Sequence, residues 1–371
     1  MRSIIIGGGV AGCAMAAALG PLSQSEEITI VERRLPDAPG GMGFLLMPNG
    51  LEALRQIAPA IDWTSSGRWI ERASLRASDG DILAEHALEP ALCVSRVRFL
   101  ALLREAALAS ACTRFVEGAS VASIARDGSG GDAELARAAI LDDGRTLEGD
   151  CFFGCDGARS RIREHLFPGA RLSDAAVHEV VSVADAPELA HELGTTFRKY
   201  HDPRGGLAVG MLAEGGDRVV WFIQMDARAH RLERASPDGF AAFADAALAD
   251  WPADVLEAIA CTDFARSHLW QTRDLPPLRS MHQANVALLG DAAHACLPFT
   301  SQGANGALVD AALLGRLLRP ARTPRESACA FAEYTRIRRP HHRRMFEEGR
   351  RIRDAFLVPV GAHGPALPLV A

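Results

Sequence analysis

The 371-residue chain is nearly without lysine: Lys199 is the single one among 40 Lys and Arg residues. Any chemistry that needs a side-chain amine therefore falls on that position or is excluded. The 8 cysteines include no Cys-x-x-Cys pair and no Cys/His zinc spacing, which excludes the common structural zinc modules. Cys151 and Cys155 are close but lie in the apolar run Cys151-Phe-Phe-Gly-Cys155. The reading is buried free thiols in a reducing, cytoplasmic compartment. No stretch is suited to crossing a bilayer. The apolar segment from Phe356 to Ala371 is short and broken by Pro359, Gly361, Gly364, Pro365 and Pro368. Arg2 and the small residues Ala16 to Ala18 mimic a signal peptide, but Gly7-Gly8-Gly9 between them suits a phosphate turn rather than a helical apolar core. A basic excess is also missing: the net charge of −6 argues against nucleic acid and anionic membranes as partners. Internal repeats and low-complexity linkers are absent. The expectation is a monomer or homodimer.

With 48% hydrophobic and 23% charged residues, the chain has an ordinary globular balance and room for one large or two medium domains. Ser3 to Ile6 reads as a β-branched strand. Gly7-Gly8-Gly9-Val10-Ala11-Gly12 follows, with Gly7, Gly9 and Gly12 in the GxGxxG register, and a helix from Ala11 to Leu19. Ile28 to Val31 is a second strand ending in Glu32, 20 residues after Gly12. That order is the dinucleotide fingerprint. The glycines allow a tight turn, backbone approach to a pyrophosphate by Gly9, Val10 and Ala11, and close helix packing. Glu32 is placed for ribose hydroxyls, and Arg33 and Arg34 stand beside the adenosine end. There is one such fingerprint, so one nucleotide is held tightly.

Two further strand–turn–helix segments carry acids. Cys151 to Gly154 is an apolar strand that runs through Cys155 into Asp156-Gly157, with Ser160 and Arg163 at a helix start. Val286 to Leu289 is a strand stopped by Gly290-Asp291. A loop with Pro298 and Phe299 leads to Gln302-Gly303-Ala304-Asn305-Gly306 and the helical run Ala307 to Leu318. Asp291 sits at a strand's carboxyl end, where open α/β sheets bind ligands. The helix start offers N–H groups and positive dipole to a ring that becomes anionic.

The stretch Gly290-Asp-Ala-Ala-His294, Pro298, Gln302-Gly-Ala-Asn305 resembles the second flavin motif of the flavoprotein monooxygenases of the para-hydroxybenzoate hydroxylase type. Ser301 stands where that family usually has Gly. The Asp156-Gly157 segment is similar to the family's Asp-Gly motif. Arg96, opening a helix that runs to Leu108, takes the place of an Arg that contacts flavin phosphate and ring. Gly40-Gly41-Met42-Gly43-Phe44 looks like the segment that passes the ring. The resemblance implies an α/β (α+β) fold: a Rossmann-like FAD-binding domain of residues 1–70, 95–172 and 275–325, an antiparallel-sheet substrate domain of 71–94 and 173–274, and a C-terminal helix and tail of 326–371. It implies tightly held FAD, NADPH or NADH as a transient co-substrate, and O2 added at flavin C4a to hydroxylate or epoxidise a small aromatic or polycyclic substrate. It assigns Gly303, Ala304, Asn305, Asp291, Asp156 and Arg96 to the cofactor, and Pro298 and Phe299 to shaping the oxygen-transfer side. Tyr334, Arg338 and Arg339 match its C-terminal helix.

From about Ser173 antiparallel strands are expected at Val177 to Asp185, Thr195 to His201, Leu207 to Ala213 and Arg218 to Met225. A helical stretch from Pro237 to Ile259 should break at Pro252, and a basic helix from Ala328 to Arg353 near Pro340. Trp221, Ile223 and Met225 share one strand face and Val220, Phe222 and Gln224 the other; one of these lines the pocket. His178, Arg198, Tyr200, His201 and Gln224 are the polar candidates, with His178, Tyr200 or His201 as a base. Other readings are a flavin reductase, dehydrogenase or Baeyer–Villiger oxygenase, and a non-catalytic flavin-binding module. A halogenase would need a Trp-x-Trp-x-x-Pro motif, which is missing, and a lysine other than Lys199.

Overall fold

The structure is a computed structural model that describes residues 1–22, 24–34, 43–128, 134–232 and 234–361. The Gly40 to Met42 part of the expected flavin-side loop and residues 362–371 of the tail lie outside that set. In chain order the first part holds β1 (Arg2–Ile6), α1 (Val10–Leu19), β2 (Glu27–Glu32), β3 (Gly43–Leu46), α2 (Pro48–Ile57), β4 (Gly67–Ala77), β5 (Ile82–Ser95), α3 (Arg96–Leu108), β6 (Thr113–Glu117), β7 (Val121–Arg126), β8 (Ala136–Leu141), β9 (Thr146–Glu148), β10 (Cys151–Gly154) and α4 (Arg161–Leu166). The second holds β11 (Val177–Ala184), α5 (Pro187–Leu193), β12 (Thr196–His201), β13 (Leu207–Ala213), β14 (Val219–Asp226), α6 (Pro237–Ala247), α7 (Ala253–Ala260) and β15 (His268–Thr272). The last holds β16 (His282–Gln283), β17 (Val286–Leu288), α8 (Asp291–His294), α9 (Gln302–Leu317) and α10 (Pro324–Phe356).

β1 is the hub of a six-stranded sheet of order β16-β17-β10-β1-β2-β6. Its pairings with β2 and β10, and those of β10 with β17 and β2 with β6, are parallel. Continuous apolar strands such as Ile4-Ile5-Ile6 and Cys151-Phe152-Phe153 are buried on both faces, as a parallel sheet requires. α1 and α9 pack on it within one large core.

The eight-stranded sheet has the order β15-β11-β14-β13-β12-β4-β5-β3. It departs from the all-antiparallel expectation, because β12 runs parallel to β4, with Lys199 opposite Leu75. The long excursion between β5 and β12 brings the chain back in the same direction, which a hairpin cannot do. Trp221, Ile223 and Met225 pack with α5, α6 and α7 in one core. The other face, with Val220, Phe222 and Gln224, is therefore the one turned away from those helices. On that side Val177 and Ala208 meet Leu297, Phe299, Ile352 and Phe356. The chain passes between the two sheets at Ser173 and Asp274, where the Ser173 N–H donates to the Asp274 carbonyl at 2.8 Å. Arg350 of α10 holds the Asp274 carboxylate at 2.8 and 3.1 Å.

Pro252 ends the helical stretch before α7 as the sequence suggests, but Pro340 breaks nothing: α10 is continuous from Pro324 to Phe356. A helix-interior proline costs about 3 kcal/mol. Here Tyr334 and Arg338 before it and His342, Met345 and Ile352 after it are all buried, so packing on both sides outweighs the lost hydrogen bond.

Candidate flavin site

Three strand ends meet at one edge of the six-stranded sheet. After β1, Gly7 takes φ +108, and a side chain there would lie 2.3 Å from the Cys155 carbonyl oxygen. Only glycine lets the β1 and β10 ends come this close. Gly12 is as constrained from the helix side, with an added Cβ 1.8 Å from the Gly7 carbonyl. Gly9, by contrast, faces open space: nothing lies within 4 Å of an added Cβ. The turn is built by Gly7 and Gly12 and left clear at Gly9, where α1 begins with Val10 and Ala11. That clearance suits a pyrophosphate at a helix N-terminus. Glu32 closes the other side. Its Oε2 accepts from Gly8 N at 2.6 Å and its Oε1 from Arg34 N at 2.8 Å. Arg33 is exposed beside it.

Asp156 follows β10. Its Oδ2 accepts from the N–H groups of Arg161 and Ile162 at 2.7 and 3.2 Å, and Ser160 Oγ caps Arg163 N at 2.8 Å. The carboxylate is thus a helix cap first, yet Asp156 Oδ1 is buried with no partner. Buried polar atoms are almost always satisfied, so an orphan at a ligand cleft is an acceptor in waiting. Arg163, which the sequence offered only as a helix start, is buried. It donates to the Ala158 carbonyl at 2.6 Å and to Ala292 at 3.1 Å, tying the Asp-Gly turn to the Gly-Asp turn.

Gly290 has φ +56 and Asp291 begins α8. Burial pushes the Asp291 carboxyl above its ordinary range, while His294, Arg96 and Arg163 pull it back. Arg96, at the start of α3, is lowered by its own burial and by Arg34, with Asp291 opposing. Asp291 thus has Arg96 and Arg163 within electrostatic reach, and Arg96 has Arg34. An added Cβ at Gly303 would be 3.8 Å from Asp291 Oδ1, so the α9 N-terminus opens onto the same space with Gly303 and Ala304 half-buried at its first turn. Arg98 is exposed and points elsewhere.

Ser301, the departure from the family pattern, sits in the left-handed region at φ 53, ψ 21. Glycine reaches that conformation without the Cβ clash, so the loop keeps the shape that Gly gives and carries strain instead. Ser301→Gly is expected to stabilise the protein by about 1 kcal/mol in a denaturant titration with unchanged slope.

The Asn305 side chain ties together the backbone of three residues. It accepts from Met47 N at 2.9 Å and donates to the carbonyls of Leu45 at 2.9 Å and Ser301 at 2.6 Å. It clamps the β3–α2 connection to the α9 start. Gly50 is glycine for this reason: a Cβ there would be 2.0 Å from Asn305 Oδ1. Pro298 and Phe299 form a short turn, and Phe299 is buried against Phe356.

Behind the α9 start lies a buried ion network centred on Asp310, a residue outside the motifs. Asp310 Oδ2 accepts from His294 Nε2 at 2.5 Å and Gly290 N at 3.1 Å, and Oδ1 from Arg338 Nε at 2.7 Å. Tyr334 donates to the Leu288 carbonyl at 3.2 Å. The signal available was an aspartate inside the apolar run Ala307 to Leu317, which must find partners. His342 stacks on His294 at 3.8 Å. Arg338 and the Gly290 N–H already hold both carboxylate oxygens. A divalent ion there would put further positive charge beside a guanidinium, so the cluster is read as structural.

Of the polar candidates, Arg198 and Tyr200 turn to the helix-covered face, where both meet Asp254 Oδ2, at 2.5 and 2.6 Å. His178 alternates onto that face with Val180, which packs in the core of that face. His201 and Gln224 lie on the opposite face with Lys199.

The clear space at Gly9, the orphaned Asp156 oxygen and the open first turn of α9 fit a flavin dinucleotide. Similarity to known proteins agrees. The family description "FAD binding domain" matches residues 1–348. The chain is 28% identical to 3-amino-4-hydroxybenzoate 2-monooxygenase PtmB3 of Streptomyces platensis, over 97% of this chain and 89% of that protein. It is 26% identical to 3-hydroxybenzoate 6-hydroxylase of Klebsiella oxytoca, over 93% and 86%. Its fold is shared by Klebsiella pneumoniae HpxO, solved with FAD and uric acid (TM-score 0.81, 21% identity, 96% and 89% covered), and by Pseudomonas aeruginosa PqsL, solved with 2-aminobenzoylacetate (TM-score 0.82, 22% identity, 96% of each chain covered). A match along nearly the whole chain means that the chain belongs to the FAD binding domain family of para-hydroxybenzoate hydroxylase-type flavoproteins.

Proposed function

We propose that the protein is an FAD-dependent, NAD(P)H-consuming monooxygenase that hydroxylates or epoxidises a small aromatic or polycyclic molecule. The observation that carries this is the convergence of the Gly7–Gly12, Asp156 and Asp291 turns at the ends of neighbouring parallel strands, with the Pro298–Phe299 turn packed against the face of the eight-stranded sheet turned away from α5, α6 and α7. The substrate fits between that face and the cleft. The relatives named as hydroxybenzoate monooxygenases and hydroxylases support the aromatic class.

Bound FAD, once reduced by NADPH or NADH, supplies the electrons that activate O2. The chain's residues do the rest. Glu32 receives the adenosine ribose, and Gly9, Val10 and Ala11 admit the pyrophosphate. Asp291 and Asp156 accept hydrogen bonds from the cofactor's hydroxyl groups, and Arg96 balances phosphate charge. The free N–H groups of Gly303 and Ala304 stabilise negative charge on the ring. Pro298 and Phe299 keep water from the oxygen-transfer side. We assign residues 1–70, 95–172 and 275–325 to a cofactor lobe, 71–94 with 173–274 to a substrate lobe, and 326–371 to a C-terminal helix and tail. The eight free thiols support a reducing, cytoplasmic setting. No described helix is long and apolar enough to cross a membrane.

The test starts from the visible spectrum of purified protein, followed by NADPH and NADH oxidation and H2O2 release with a panel of phenols and polycyclic aromatics. Flavin absorption and ligand-stimulated oxidation with oxygenated product are expected. A flavoprotein that oxidises nicotinamide but never oxygenates would instead be a reductase, and one that does neither under any ligand a binding module. Asp291→Ala is expected to fold but retain less than about a tenth of the flavin, the loss of a charge-assisted bond worth about 1.5–3 kcal/mol.

A further inference from the structure

The face of the eight-stranded sheet turned away from α5, α6 and α7 carries a buried polar row with no part in the flavin motifs. Glu179 lies opposite Gln224, which lies opposite Ala208, which lies opposite His201. One step along the strands the row is Val181, Phe222, Gly210 and Lys199. Glu179, Gln224, Lys199 and His201 are 4%, 3%, 1% and 6% exposed. Lys199 Nζ donates to Gln224 Oε1 at 2.7 Å, and Gln224 Nε2 donates to Glu179 Oε1 at 3.2 Å. Lys199 and Glu179 are thus joined through an amide, without a direct ion pair between them.

The row is underfilled. Glu179 Oε2 and His201 Nε2 are buried with no partner, and Gln224 takes one of the three donors of the Lys199 ammonium. Leaving such groups unsatisfied costs about 1–3 kcal/mol each, so an apolar row would make the more stable sheet. Aromatic rings close over the row. The Phe299 and Phe356 rings are 5.8 and 5.9 Å from Lys199 Nζ, and Phe299 belongs to the turn proposed to shape the oxygen-transfer side. Half-buried Phe222 lies across Gly210, where an added Cβ would be 2.2 Å from its Cζ. In the next row Val220 meets Gly43, an added Cβ of which would lie 2.8 Å from Val220 Cγ2. Successive rows are about 7 Å apart, so the Val220 row beside Gly43 lies about 7 Å from the Lys199 row and about 14 Å from the Gln224 row.

We infer that this row is an anion subsite of the substrate pocket: Lys199 holds an ionised carboxylate or phenolate oxygen of an aromatic substrate, and Glu179, by gaining or losing a proton, sets whether the subsite carries the net charge to do so. The inference rests on the function proposed above and names the substrate's charge. Among the described residues, the titratable groups facing Lys199 are Glu179 from β11 and His201 from its own strand. The other packed elements present Gln224, Gly210, Phe299 and Phe356. Burial raises the Glu179 carboxyl to about 7, with Lys199 and Gln224 lowering it. Burial lowers Lys199 to about 8, with Glu179 raising it. His201 is held well below its ordinary value by burial and by Lys199, and stays neutral. With Glu179 neutral and Lys199 charged the subsite is cationic; with both ionised it is balanced. Binding an anion therefore takes up a proton as the pH rises past 7.

The test uses FAD-loaded protein and reads the flavin absorption change on adding 3-hydroxybenzoate or its methyl ester. In the wild type the carboxylate is expected to bind about tenfold more tightly at pH 6 than at pH 8, following the neutral fraction of a group titrating near 7, and the ester equally at both. Glu179→Gln should bind the carboxylate at pH 7 at least as tightly as the wild type does at pH 6, and weaken above that as Lys199, no longer raised by Glu179, loses its proton. Lys199→Met should lose at least tenfold for the carboxylate and little for the ester. A single lysine also gives a readout that no folding defect can mimic. Protein labelled with 15N-lysine has one side-chain amine resonance, which should shift with the carboxylate and not with the ester. A wild type that ignores 3-hydroxybenzoate, binds acid and ester alike, or leaves the amine signal unmoved overturns the inference. Failure of the proposed function shows separately, as protein without flavin or without NAD(P)H oxidation across the whole panel.

Discussion

Gly12→Val is expected to give no folded flavoprotein, while Gly9→Ala gives a folded protein that has lost its flavin. The two glycines are three residues apart in one motif, yet their surroundings differ completely. A Cβ at Gly12 would sit 1.8 Å from the Gly7 carbonyl oxygen and 3.2 Å from Ile5 Cγ2. Both are on or beside β1, the central strand of the six-stranded sheet, and α1 is buried along most of its length. Relief would require α1 to leave the sheet, and an overpacked core with no room to shift loses upwards of about 4 kcal/mol. At Gly9 an added Cβ meets nothing within 4 Å, so Gly9→Ala should melt within a degree or two of the wild type. The methyl group instead fills space through which a pyrophosphate approaches the backbone. Its expected effect is at least a tenfold loss of FAD affinity, seen as a falling ratio of flavin to protein absorbance beside an unchanged circular dichroism melt. Full flavin occupancy in Gly9→Ala would move the phosphate site away from this turn.

The contrast shows what the sequence could and could not convey. Glycine spacing, strand run and Glu32 made the β1–α1–β2 unit legible, because a 2-residue period changing to a helical one around fixed glycines has few other structures open to it. The strands from β11 to β14 were legible for a similar reason: alternating or apolar runs bounded by Gly and Asp turns. β3 and β6 were not. Gly43–Leu46 is a strand because it pairs with Leu92 to Ser95, and Thr113–Glu117 because β2 offers it an edge; neither has a periodic signal of its own. The parallel β4–β12 pairing is a long-range choice that local pattern does not encode. Among site residues, identity was readable but direction was not. Tyr200 and His201 are neighbours, so they face opposite sides of the sheet, and which side is the pocket depended on where α5, α6 and α7 pack. Lys199 stood out by rarity alone; its partners Glu179 and Gln224 come from strands 20 or more residues away.

The same lesson applies to Asp310, where Asp310→Ala is expected to destabilise the protein by about 3–5 kcal/mol. That is the range for removing one partner of a buried, hydrogen-bonded charge and leaving the other in place. Arg338, His294 and the Gly290 N–H would all lose their acceptor, and Arg338 is only 5% exposed. Because Gly290 precedes Asp291, the loosening reaches the flavin cleft, and FAD retention should fall with stability. The two histidines' neighbourhood gives the effect a pH signature. His294, Arg338 and hydrogen bonds hold Asp310 well below the ordinary carboxylate range against its burial. Its contribution is therefore present above about pH 4, the unfolded value, and is lost only in stronger acid, so the alanine penalty should be flat from pH 5 to 8. His342 behaves oppositely. Burial, with His294 adding to it, lowers it to about 3. Below about pH 6.5 the unfolded chain takes up a proton that the folded chain refuses. Stability should then fall by about 1.4 kcal/mol for each pH unit down toward 3. Denaturant midpoints at pH 7, 5.5 and 4.5 separate the two. His342→Leu should flatten the acid slope of the wild type by one proton, whereas Arg338→Met should reproduce most of the Asp310→Ala loss at every pH. An acid slope unchanged by His342→Leu would assign it to other groups, and an Asp310→Ala loss below about 1 kcal/mol would mean that water replaces the carboxylate at the heart of the α9 start.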